Sequence, residues 1–560
     1  MPDVPLTKKQ DKDILSFALQ NAVFHSGKAD AGAVLGKMLG SHPKLKKNIG
    51  HLREKIQQAV NEVNKLPAEE QKKQLERLGP SLLKKEVKQK EELPEIPGAR
   101  KGRIVTRFAP APTGGLHIFH LLRPAFLNYL YAKKYNGKFI LRIEDTDPEK
   151  VKKEAYDWIM QDLEAVGIVP DRVVKQSENM GDYYKYAKML LKEGKAYICI
   201  CSQEEFKKIK LSMIGCTCRN NIKEENIEKF ERMLSGRYRA GESVARLKAN
   251  MQDPNPVLRD PPLLRISDAE HPLAGKYRVW PLYNFSCTVD DHMLGITHVF
   301  RAKEHEHNTA VQERIFHALG WKPPVTVNFG MLRLPGGKLH KRDIRKMLAS
   351  GEITGWDDPK LPTVRAFLRR GFLPETFRQM ALMCGLSKTD IVIGWENLEG
   401  INRKLLDPIA NRYMVVLNPE KISVAGIGNT AAELSLHPDY PERGKRKMPV
   451  DRENIYISKG DFEAAGSSEF RLMGLGNVRL DGGSGVYTGD KIVREMQKVQ
   501  WVSEPNVKVD IIKPGETISG LGEPSIQKLK PGDIIQMERV GFGRVDAVLK
   551  DKIVICWAHK

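Results

Sequence analysis

The spacing of hydrophobic positions changes at Ile104 and divides the chain into a helical beginning and a mixed α/β remainder. Up to about residue 93, apolar residues recur at helical spacing, as from Ile14 to Val23 and from Leu35 to Leu39. Prolines and a glycine in Pro94–Gly98 then interrupt any helix and indicate a linker. The pattern predicts a basic, helical appendage over residues 1–93.

A strand, a helix and a second strand are predicted directly after this linker. In order, they are a strand at Ile104–Phe108, a Pro- and Gly-rich loop at 109–115, a helix at His117–Tyr135 and a strand at Phe139–Ile143. A right-handed βαβ unit of this kind begins a doubly wound parallel sheet. We expect Thr297–Phe300 and Val325–Phe329 to join that sheet, with the intervening cysteine-containing stretch as an inserted domain.

The rest of the chain is helical and then β-rich. Residues 362–413 have helical periodicity. After Met414 short strands are predicted at Lys421–Val424, Ile455–Ser458, Phe470–Leu480, Val507–Ile512, Ile534–Val540 and Val545–Trp557. Short strands separated by turns are typical of barrels. With 560 residues, the chain is predicted to be a multidomain α/β protein.

Composition narrows the class of partner and the compartment. The net charge of +21 favours a polyanion such as nucleic acid, although a solvated basic surface is the alternative. Seven cysteines are too few and uneven for a disulfide framework, which favours the cytoplasm. No stretch approaches the roughly 20 apolar residues that span a bilayer.

Residues 107–120 are the first candidate site, with the sequence Arg-Phe-Ala-Pro-Ala-Pro-Thr-Gly-Gly-Leu-His-Ile-Phe-His. In a doubly wound sheet, ligands bind at the carboxyl end of the first strand, beside the N–H groups of the following helix. His117 and His120 are three residues apart, so they share a helical face and could both donate to phosphate oxygens. A surface loop with incidental histidines is the alternative.

A second basic segment and a cysteine cluster are the other candidates. Lys338-Leu339-His340-Lys341-Arg342 follows a glycine loop that could close over a triphosphate. Two Cys-x-Cys pairs, Cys199 with Cys201 and Cys216 with Cys218, suit a tetrahedral structural Zn²⁺, with packed free thiols as the alternative. The three remaining cysteines, Cys287, Cys384 and Cys556, are expected to be packed thiols.

Together, in this order, the two segments resemble the His-Ile-Gly-His and Lys-Met-Ser-Lys-Ser signatures of the class I aminoacyl-tRNA synthetases. Flanking motifs are similar to the glutamyl/glutaminyl branch, at Arg107–Pro110, Leu116–Ile118, Leu141–Pro148, Val289–His292 and Gly355–Pro359. Asp407–Arg412 and the β-rich C-terminus resemble the archaeal type of glutamyl-tRNA synthetase. Some glutamyl-tRNA synthetases also carry a zinc knuckle in the inserted domain.

The resemblance implies a domain order and an activity. The domains would be the appendage at 1–93, a Rossmann-type catalytic domain in two halves at 100–195 and 278–345, an inserted acceptor-stem-binding domain at 196–277, a helical connector at 346–413 and anticodon-binding β-barrels at 414–560. The activity would be ligation of L-glutamate to tRNA(Glu) through glutamyl-adenylate, with ATP and Mg²⁺. Many archaeal enzymes also charge tRNA(Gln). A cytoplasmic monomer without a membrane partner is expected.

The resemblance also assigns residues. Arg107, Glu144, Tyr283 and Arg301 would bind glutamate, with Arg301 favouring glutamate over glutamine because an amide needs no second cation. The expected catalytic residues are His117, His120, Lys338 and Lys341. These four and Ala109, Pro110, Gly115 and Glu304 would contact ATP.

Two residues depart from the signatures. Phe119 stands where the family has a glycine against which the adenine packs, so its ring is expected to crowd the base. His340 replaces a serine, while Lys338 and Lys341 keep the two cationic positions. A glutaminyl-tRNA synthetase is one alternative function, and a tRNA-binding paralogue without catalysis is the other.

Overall fold

The computed structural model describes residues 7–24, 27–42, 45, 49–79, 93–333, 341–493 and 495–560. The chain divides into two compact units, Met1–Lys90 and Glu91–Lys560. Within the described residues, no helix has the length and apolar character that crossing a membrane requires.

The first unit is helical, as predicted. Its helices are α1 (Lys8–Phe24), α2 (Ala31–Ser41), α3 (Ile49–Val63) and α4 (Ala68–Leu78). Their apolar faces share one core that includes Leu19, Met38, Ile56 and Leu75. The buried Gln71 amide donates to the carbonyl oxygens of Gly27, Val63 and Leu66, which satisfies backbone groups where the helices end.

The second unit begins with the predicted βαβ unit. Its elements are β1 (Val105–Phe108), α5 (Ile118–His120), α6 (Phe126–Lys134), β2 (Lys138–Ile143), α7 (Glu154–Ala165), β3 (Arg172–Lys175) and α8 (Met180–Lys192). β1 pairs with β2 and β2 with β3, all in parallel. The helix predicted at His117–Tyr135 is interrupted by a π-helix at Leu121–Ala125, which contains Pro124. A proline has no N–H to donate, which favours a local departure from α-helix geometry.

An inserted antiparallel sheet follows. It contains β4 (Ala196–Cys199), α9 (Gln203–Leu211), α10 (Lys223–Leu234), β5 (Val244–Leu247), β6 (Pro262–Ile266) and β7 (Val279–Pro281), and the strands lie in sequence order. Its core is continuous with α8 and includes Phe230, Leu264 and Trp280.

The parallel sheet then resumes. Its second half contains α11 (Tyr283–Met293), β8 (His298–Ala302), α12 (Glu306–Ala318) and β9 (Val325–Phe329). β8 pairs with β9 in parallel, and the Thr297 amide donates to the Val105 carbonyl at 3.0 Å. The strands therefore lie in the order β3, β2, β1, β8, β9. The chain adds strands on one side of β1 first and then on its other side, as in doubly wound sheets.

A helical connector leads out of the sheet. It comprises β10 (Leu332–Arg333), α13 (Lys341–Ala349), α14 (Val364–Arg370), α15 (Pro374–Cys384), β11 (Ile391–Val392) and α16 (Trp395–Leu406). Helices of this connector share a core with α5, α6 and α7, through residues such as Val364, Phe367 and Phe377. The connector and the parallel sheet therefore form one packed body.

The C-terminal region contains two seven-stranded, barrel-like sheets, and one interrupts the other. The chain runs through β12 (Asn411–Tyr413), β13 (Val415–Leu417), β14 (Pro419–Ala425), β15 (Ala431–Ser435), β16 (Lys445–Pro449), β17 (Ile455–Ser458), α17 (Lys459–Ala465), β18 (Glu469–Leu472), β19 (Gly476–Asp481), β20 (Ser484–Gly489), β21 (Lys498–Val499), β22 (Val502–Ser503), β23 (Val507–Lys513), β24 (Glu516–Gly522), β25 (Ile534–Met537), β26 (Gly541–Val548) and β27 (Lys552–His559).

The first of these sheets, here called the split barrel, joins β12 and β13 to β23–β27. The second, here called the inserted barrel, contains β14 and β17–β22, and β15 pairs with β16 in a separate ribbon. Two predicted strands are each a pair of strands. Phe470–Leu480 turns at Gly474, which has φ +73°, and Val545–Trp557 turns before β27. The predicted fold class is confirmed.

A buried ion pair holds the β15–β16 ribbon to the split barrel. The Arg446 Nε atom lies 2.8 Å from a Glu523 carboxylate oxygen, which also accepts a hydrogen bond from the Met414 amide. Both charged side chains are almost fully buried. Removing one partner would leave the other charge buried without compensation.

We therefore expect Glu523→Ala to lower the free energy of unfolding by about 3–5 kcal/mol. The matched control is Glu433→Ala, which removes exposed ion pairs inside the same ribbon, from Glu433 of β15 to Lys445 and Lys447 of β16. This substitution is expected to cost about 0–1 kcal/mol. Urea-induced unfolding of the full chain measures both. Equal effects of the two substitutions would contradict the assignment.

Candidate active site

A cavity of about 540 Å³ opens where β1, β2 and β8 end. Arg107 lies near the carboxyl end of β1, Glu144 directly follows β2, and Arg301 lies near the end of β8. Parallel strands place these ends at one edge of the sheet, so residues far apart in sequence meet there. The predicted site residues that line this cavity are Arg107, Ala109, Pro110, His117, His120, Glu144, Tyr283, Arg301 and Glu304.

Arg301 is a buried cation with unused donors. Its side chain is 7% exposed, and its Nη2 atom donates to the Gln312 Oε1 atom at 2.8 Å. Within the described part of the chain, its Nε and Nη1 atoms have no hydrogen-bond partner. Burial, and then the neighbouring Arg107, lower the pKa of Arg301 below its ordinary value. A buried guanidinium in this state is stabilised by an anion that accepts from its free donors.

Arg107 is held by a carboxylate instead. Its Nε atom lies 3.3 Å from the Asp291 Oδ1 atom. The same oxygen lies 2.5 Å from the Arg142 Nη1 atom. Burial acts to raise the pKa of Asp291, but Arg142 and Arg107 hold it below its ordinary value. Asp291 therefore stays charged and fixes Arg107 at the cavity wall.

Glu144 is oriented from behind by two donors. The Arg142 Nη2 atom donates to its Oε1 atom at 2.9 Å, and the Cys287 thiol donates to the same oxygen at 3.1 Å. Tyr283 begins α11, and burial raises the pKa of its hydroxyl, with Cys287 and Glu144 acting in the same direction. Glu144 and Tyr283 thus lie beside the two arginines.

Three residues of this site, Asp291, Arg142 and Cys287, are not among those that the sequence assigns to it. Arg142 and Asp291 fall within the motifs Leu141–Pro148 and Val289–His292, which were used only as marks of the resemblance. Cys287 was expected to be a packed thiol, and it is fully buried, but it also contacts Glu144. The available signal in the sequence was the presence of Arg142 and Asp291, two charged residues, inside motifs shared with the family.

His117 caps the helix that starts at Ile118. Its Nδ1 atom accepts a hydrogen bond from the Phe119 amide at 3.2 Å. A neutral imidazole that accepts at Nδ1 carries its proton on Nε2. The His120 ring centroid lies 6.4 Å from that of His117. The pair therefore places an imidazole N–H donor at the cavity wall, as phosphate binding requires.

The predicted glycine of the loop has a different neighbourhood. Gly115 is not among the lining residues, and a Cβ atom placed on it would lie 3.5 Å from both Trp356 and Arg365. At Gly114, with φ +144°, a Cβ atom would lie 2.2 Å from the Trp356 ring. The loop is therefore packed tightly under Trp356, and the predicted contact of Gly115 with ATP stays a prediction.

The second signature lies largely outside the described residues. Lys338 and His340 fall in the gap at 334–340, and Lys341 is the first residue of α13. Their assigned roles stay predictions.

The four clustered cysteines have the geometry of a metal site. The sulfur atoms of Cys199, Cys201, Cys216 and Cys218 all lie within 4.8 Å of one another. The Cys199–Cys216 and Cys201–Cys218 sulfur distances are both 3.9 Å. A tetrahedral zinc with Zn–S bonds of about 2.3 Å separates its sulfurs by roughly 3.8 Å. The hydrogen bond between Cys199 and Cys216 lowers the pKa of Cys216 and raises that of Cys199, and burial raises the pKa of Cys201. The residues fit a zinc ion.

A cation-lined cavity at the switch point of a doubly wound sheet defines a nucleotide-binding α/β enzyme domain. Known families agree. The model of the class I tRNA synthetases (E and Q), catalytic domain, matches residues 103–408. Two anticodon-binding domains of the same group match residues 410–496 and 498–546. The chain belongs to the glutamate and glutamine branch of the class I tRNA synthetases.

Relatives of nearly full length carry a single description. A glutamate–tRNA ligase of Pyrococcus furiosus is 44% identical over 98% of this chain and 100% of its own length. One from Pyrococcus abyssi is 43% identical over 98% and 99%. A crystal structure of a glutamate tRNA ligase from Elizabethkingia meningosepticum aligns with 55% of this chain and 70% of its own at 24% identity and a TM-score of 0.42. The predicted archaeal-type family is confirmed.

The contact between Gly114 and Trp356 makes the loop sensitive to a single methyl group. We expect Gly114→Ala to lower the free energy of unfolding by about 1–3 kcal/mol through overpacking, beyond the backbone cost of its positive φ. Gly102→Ala is the control, since Gly102 has φ +76° but no atom near its missing Cβ. Thermal unfolding of both variants separates clash from strain. A Gly114→Ala effect no larger than that of Gly102→Ala would contradict the packing argument.

Proposed function

We propose that this chain ligates L-glutamate to the 3′ end of tRNA(Glu) using ATP. The observation that carries the proposal is the pair of buried arginines, of which Arg301 has two nitrogen atoms, Nε and Nη1, without a hydrogen-bond partner among the described residues. A carboxylate side chain of the substrate would supply the missing acceptor. Membership of the family and the glutamate–tRNA ligase relatives support the same activity.

The first step joins glutamate to AMP. The side-chain carboxylate lies between Arg107 and Arg301, and Glu144 pairs with the α-ammonium group. The α-carboxylate oxygen attacks the α-phosphorus of ATP, forming the acyl–phosphate bond as the bond to the bridging oxygen breaks and pyrophosphate leaves. His117 and His120 donate to phosphate oxygens, with Lys338 and Lys341 predicted to do the same. Such chemistry depends on positioning and on charge neutralisation.

The second step transfers the glutamyl group to tRNA. The terminal ribose 2′-hydroxyl attacks the adenylate carbonyl, the ester forms, and AMP leaves with the electrons of the acyl–phosphate bond. Magnesium bound with ATP neutralises phosphate charge in the first step. The net charge of +21 suits a polyanionic substrate. Charging of tRNA(Gln), a monomeric state and a cytoplasmic location stay predictions.

The first test is glutamate-dependent exchange of pyrophosphate into ATP, with tRNA present and with glutamine in parallel. We expect exchange with glutamate only. Arg301→Gln should lower kcat/KM for glutamate by about 10²- to 10³-fold, because truncating a buried charged hydrogen-bond partner costs roughly 2–5 kcal/mol. The KM for ATP should stay unchanged, because Arg301 lies at the amino-acid end.

Three outcomes separate the candidates. Exchange with glutamine as good as with glutamate would favour a glutaminyl-tRNA synthetase. No exchange with either amino acid, together with intact tRNA binding, would favour the non-catalytic paralogue. A normal glutamate KM in Arg301→Gln would overturn the assignment of that residue even if the activity is present.

We also propose that the four clustered cysteines hold one structural Zn²⁺. Their sulfur geometry supports this assignment. Elemental analysis of the full chain purified without chelator should find about one zinc per chain. Cys216→Ser should lose it, whereas Cys384→Ser should keep it, because Cys384 is a packed thiol of the connector. Zinc retained equally in both variants, or absent from the wild type after growth with zinc, would overturn the proposal.

A further inference from the structure

The lining of the active-site cavity divides by chemistry. Its charged part contains Arg107, Glu144 and Arg301, at the ends of three adjacent strands. Its more apolar part contains Phe119, Pro124, Phe329, Met331 and Leu332, together with the Arg123 guanidinium over the Phe329 ring. A ligand that occupies the whole cavity therefore has a charged end and a flat or apolar end, as adenylates do.

Three of the five phenylalanine and tyrosine rings of the lining are already covered. Phe108 and Phe300 are 3% and 2% exposed, and Phe300 stacks on Tyr131 with ring centroids 4.9 Å apart. Phe329 is 3% exposed and lies under the Arg123 guanidinium, 5.6 Å from its ring centroid. None of these three rings offers a free face to a ligand.

The two remaining rings lie at different ends. Tyr283 is partly exposed, but its hydroxyl lies among Glu144, Arg301 and Arg107, at the glutamate end. Phe119 is partly buried and packs against the core beneath it. Among the described phenylalanine and tyrosine residues of the lining, Phe119 is thus the one with exposed surface that is not grouped with Glu144, Arg301 and Arg107.

Phe119 is also fixed beside the phosphate donors. Its amide donates to the His117 Nδ1 atom, and the two ring centroids lie 4.8 Å apart. The reaction requires the α-phosphate next to the glutamate carboxylate, so the nucleoside must extend away from Arg107 and Arg301. The Phe119 ring, which lies beside His117, is an apolar surface within reach of a nucleoside whose phosphates contact the histidines.

We propose that Phe119 is a binding residue whose ring stacks on the adenine of ATP. The inference rests on the proposed use of ATP by this site. The comparison with the signature predicts that the ring crowds the base; the proposal is instead that the ring supports the base by stacking on it. The 540 Å³ of the cavity is measured with the phenyl ring in place, and pockets for ligands of this size span about 300–1,000 Å³. The ring therefore forms a wall without filling the space.

If the ring stacks on the base, its removal weakens ATP binding, whereas if the ring crowds the base, its removal leaves binding equal or makes it tighter. Aromatic stacking on a base commonly changes affinity by about 5- to 150-fold. We expect Phe119→Leu to weaken Mg·ATP binding by about 10-fold, because leucine keeps the apolar bulk and removes the ring. Phe119→Trp should bind ATP within about threefold of the wild type, because stacking is restored.

Isothermal titration of the full chain with Mg·ATP, without glutamate, measures these affinities. Inorganic tripolyphosphate with magnesium is the internal control, because it occupies the phosphate contacts and has no base. Its affinity should be the same within about twofold in wild type and Phe119→Leu. Thermal unfolding checks that each variant is folded, and Phe119→Met is the second non-aromatic variant if Phe119→Leu is not.

Equal or tighter ATP binding by Phe119→Leu would overturn the proposal and would show that the ring crowds the base. A parallel loss of tripolyphosphate affinity would overturn it too, because the ring would then act through His117. Failure of this proposal can be distinguished from failure of the proposed function. ATP binding that depends on the ring while glutamate exchange fails in the wild type would refute only the ligase activity, and the reverse pattern would refute only the role of Phe119.

Discussion

The fully buried Asp291 carboxylate is the interaction on which the active site depends most. It comes from α11 and contacts Arg107 of β1 and Arg142 of β2, so one carboxylate joins both halves of the parallel sheet. Removing it would leave Arg107 without a carboxylate partner among the described residues and Arg142 with Glu144 and Asp290 alone, in a dry interior where an unpaired charge is costly. Its position also decides what the other cations can do. Asp291 takes only the Nε atom of Arg107, so Arg107 and Arg301 can both face the cavity, and Nε and Nη1 of Arg301 make no hydrogen bond within the described residues.

The second effect of this network is indirect. Arg142, fixed by Asp291, donates to one oxygen of Glu144, and the Cys287 thiol donates to the same oxygen. The Cys287 thiol of α11 and the Arg142 guanidinium of β2 therefore both orient Glu144, whose carboxylate lines the cavity. The amino-acid end of the site is rigid before any ligand arrives, which is the condition for discriminating one side chain from another.

Much of the fold could be predicted from the sequence. The spacing of hydrophobic residues and the positions of turn residues predict the helices and strands correctly where an element depends on local packing. Val325–Phe329 is a strand with the predicted bounds, and β1 and β2 differ from prediction by one residue each. The π-helix was not predictable, since Leu121, Leu122 and Phe126 satisfy a helical period in either geometry. Phe470–Leu480 looked continuous because the turn residues between β18 and β19 are largely apolar.

The site was less predictable, for a physical reason. Arg142 and Asp291 are 149 residues apart, and only the fold brings them together. A glycine-rich loop also has two uses that the sequence cannot separate. At Gly114 the missing side chain is required by the Trp356 ring, whereas a Cβ atom at Gly115, which the resemblance assigned to the nucleotide, would make only ordinary contacts with Trp356 and Arg365.

The same loop shows how the catalytic signature is attached to the rest of the chain. The Ile118 amide donates to Pro362, and the Val364 amide donates to Leu116, so His117 pairs with Thr363 at the start of α14. At the other end of this seven-residue helix, Arg369 contacts both oxygens of Asp546, and Arg370 donates to the carbonyl oxygens of Trp557 and Ala558. One short helix therefore links the backbone of His117 to the split barrel. Since a helix of two turns is stiff, the placement of the His117 backbone depends on contacts made with a domain of the anticodon-binding type.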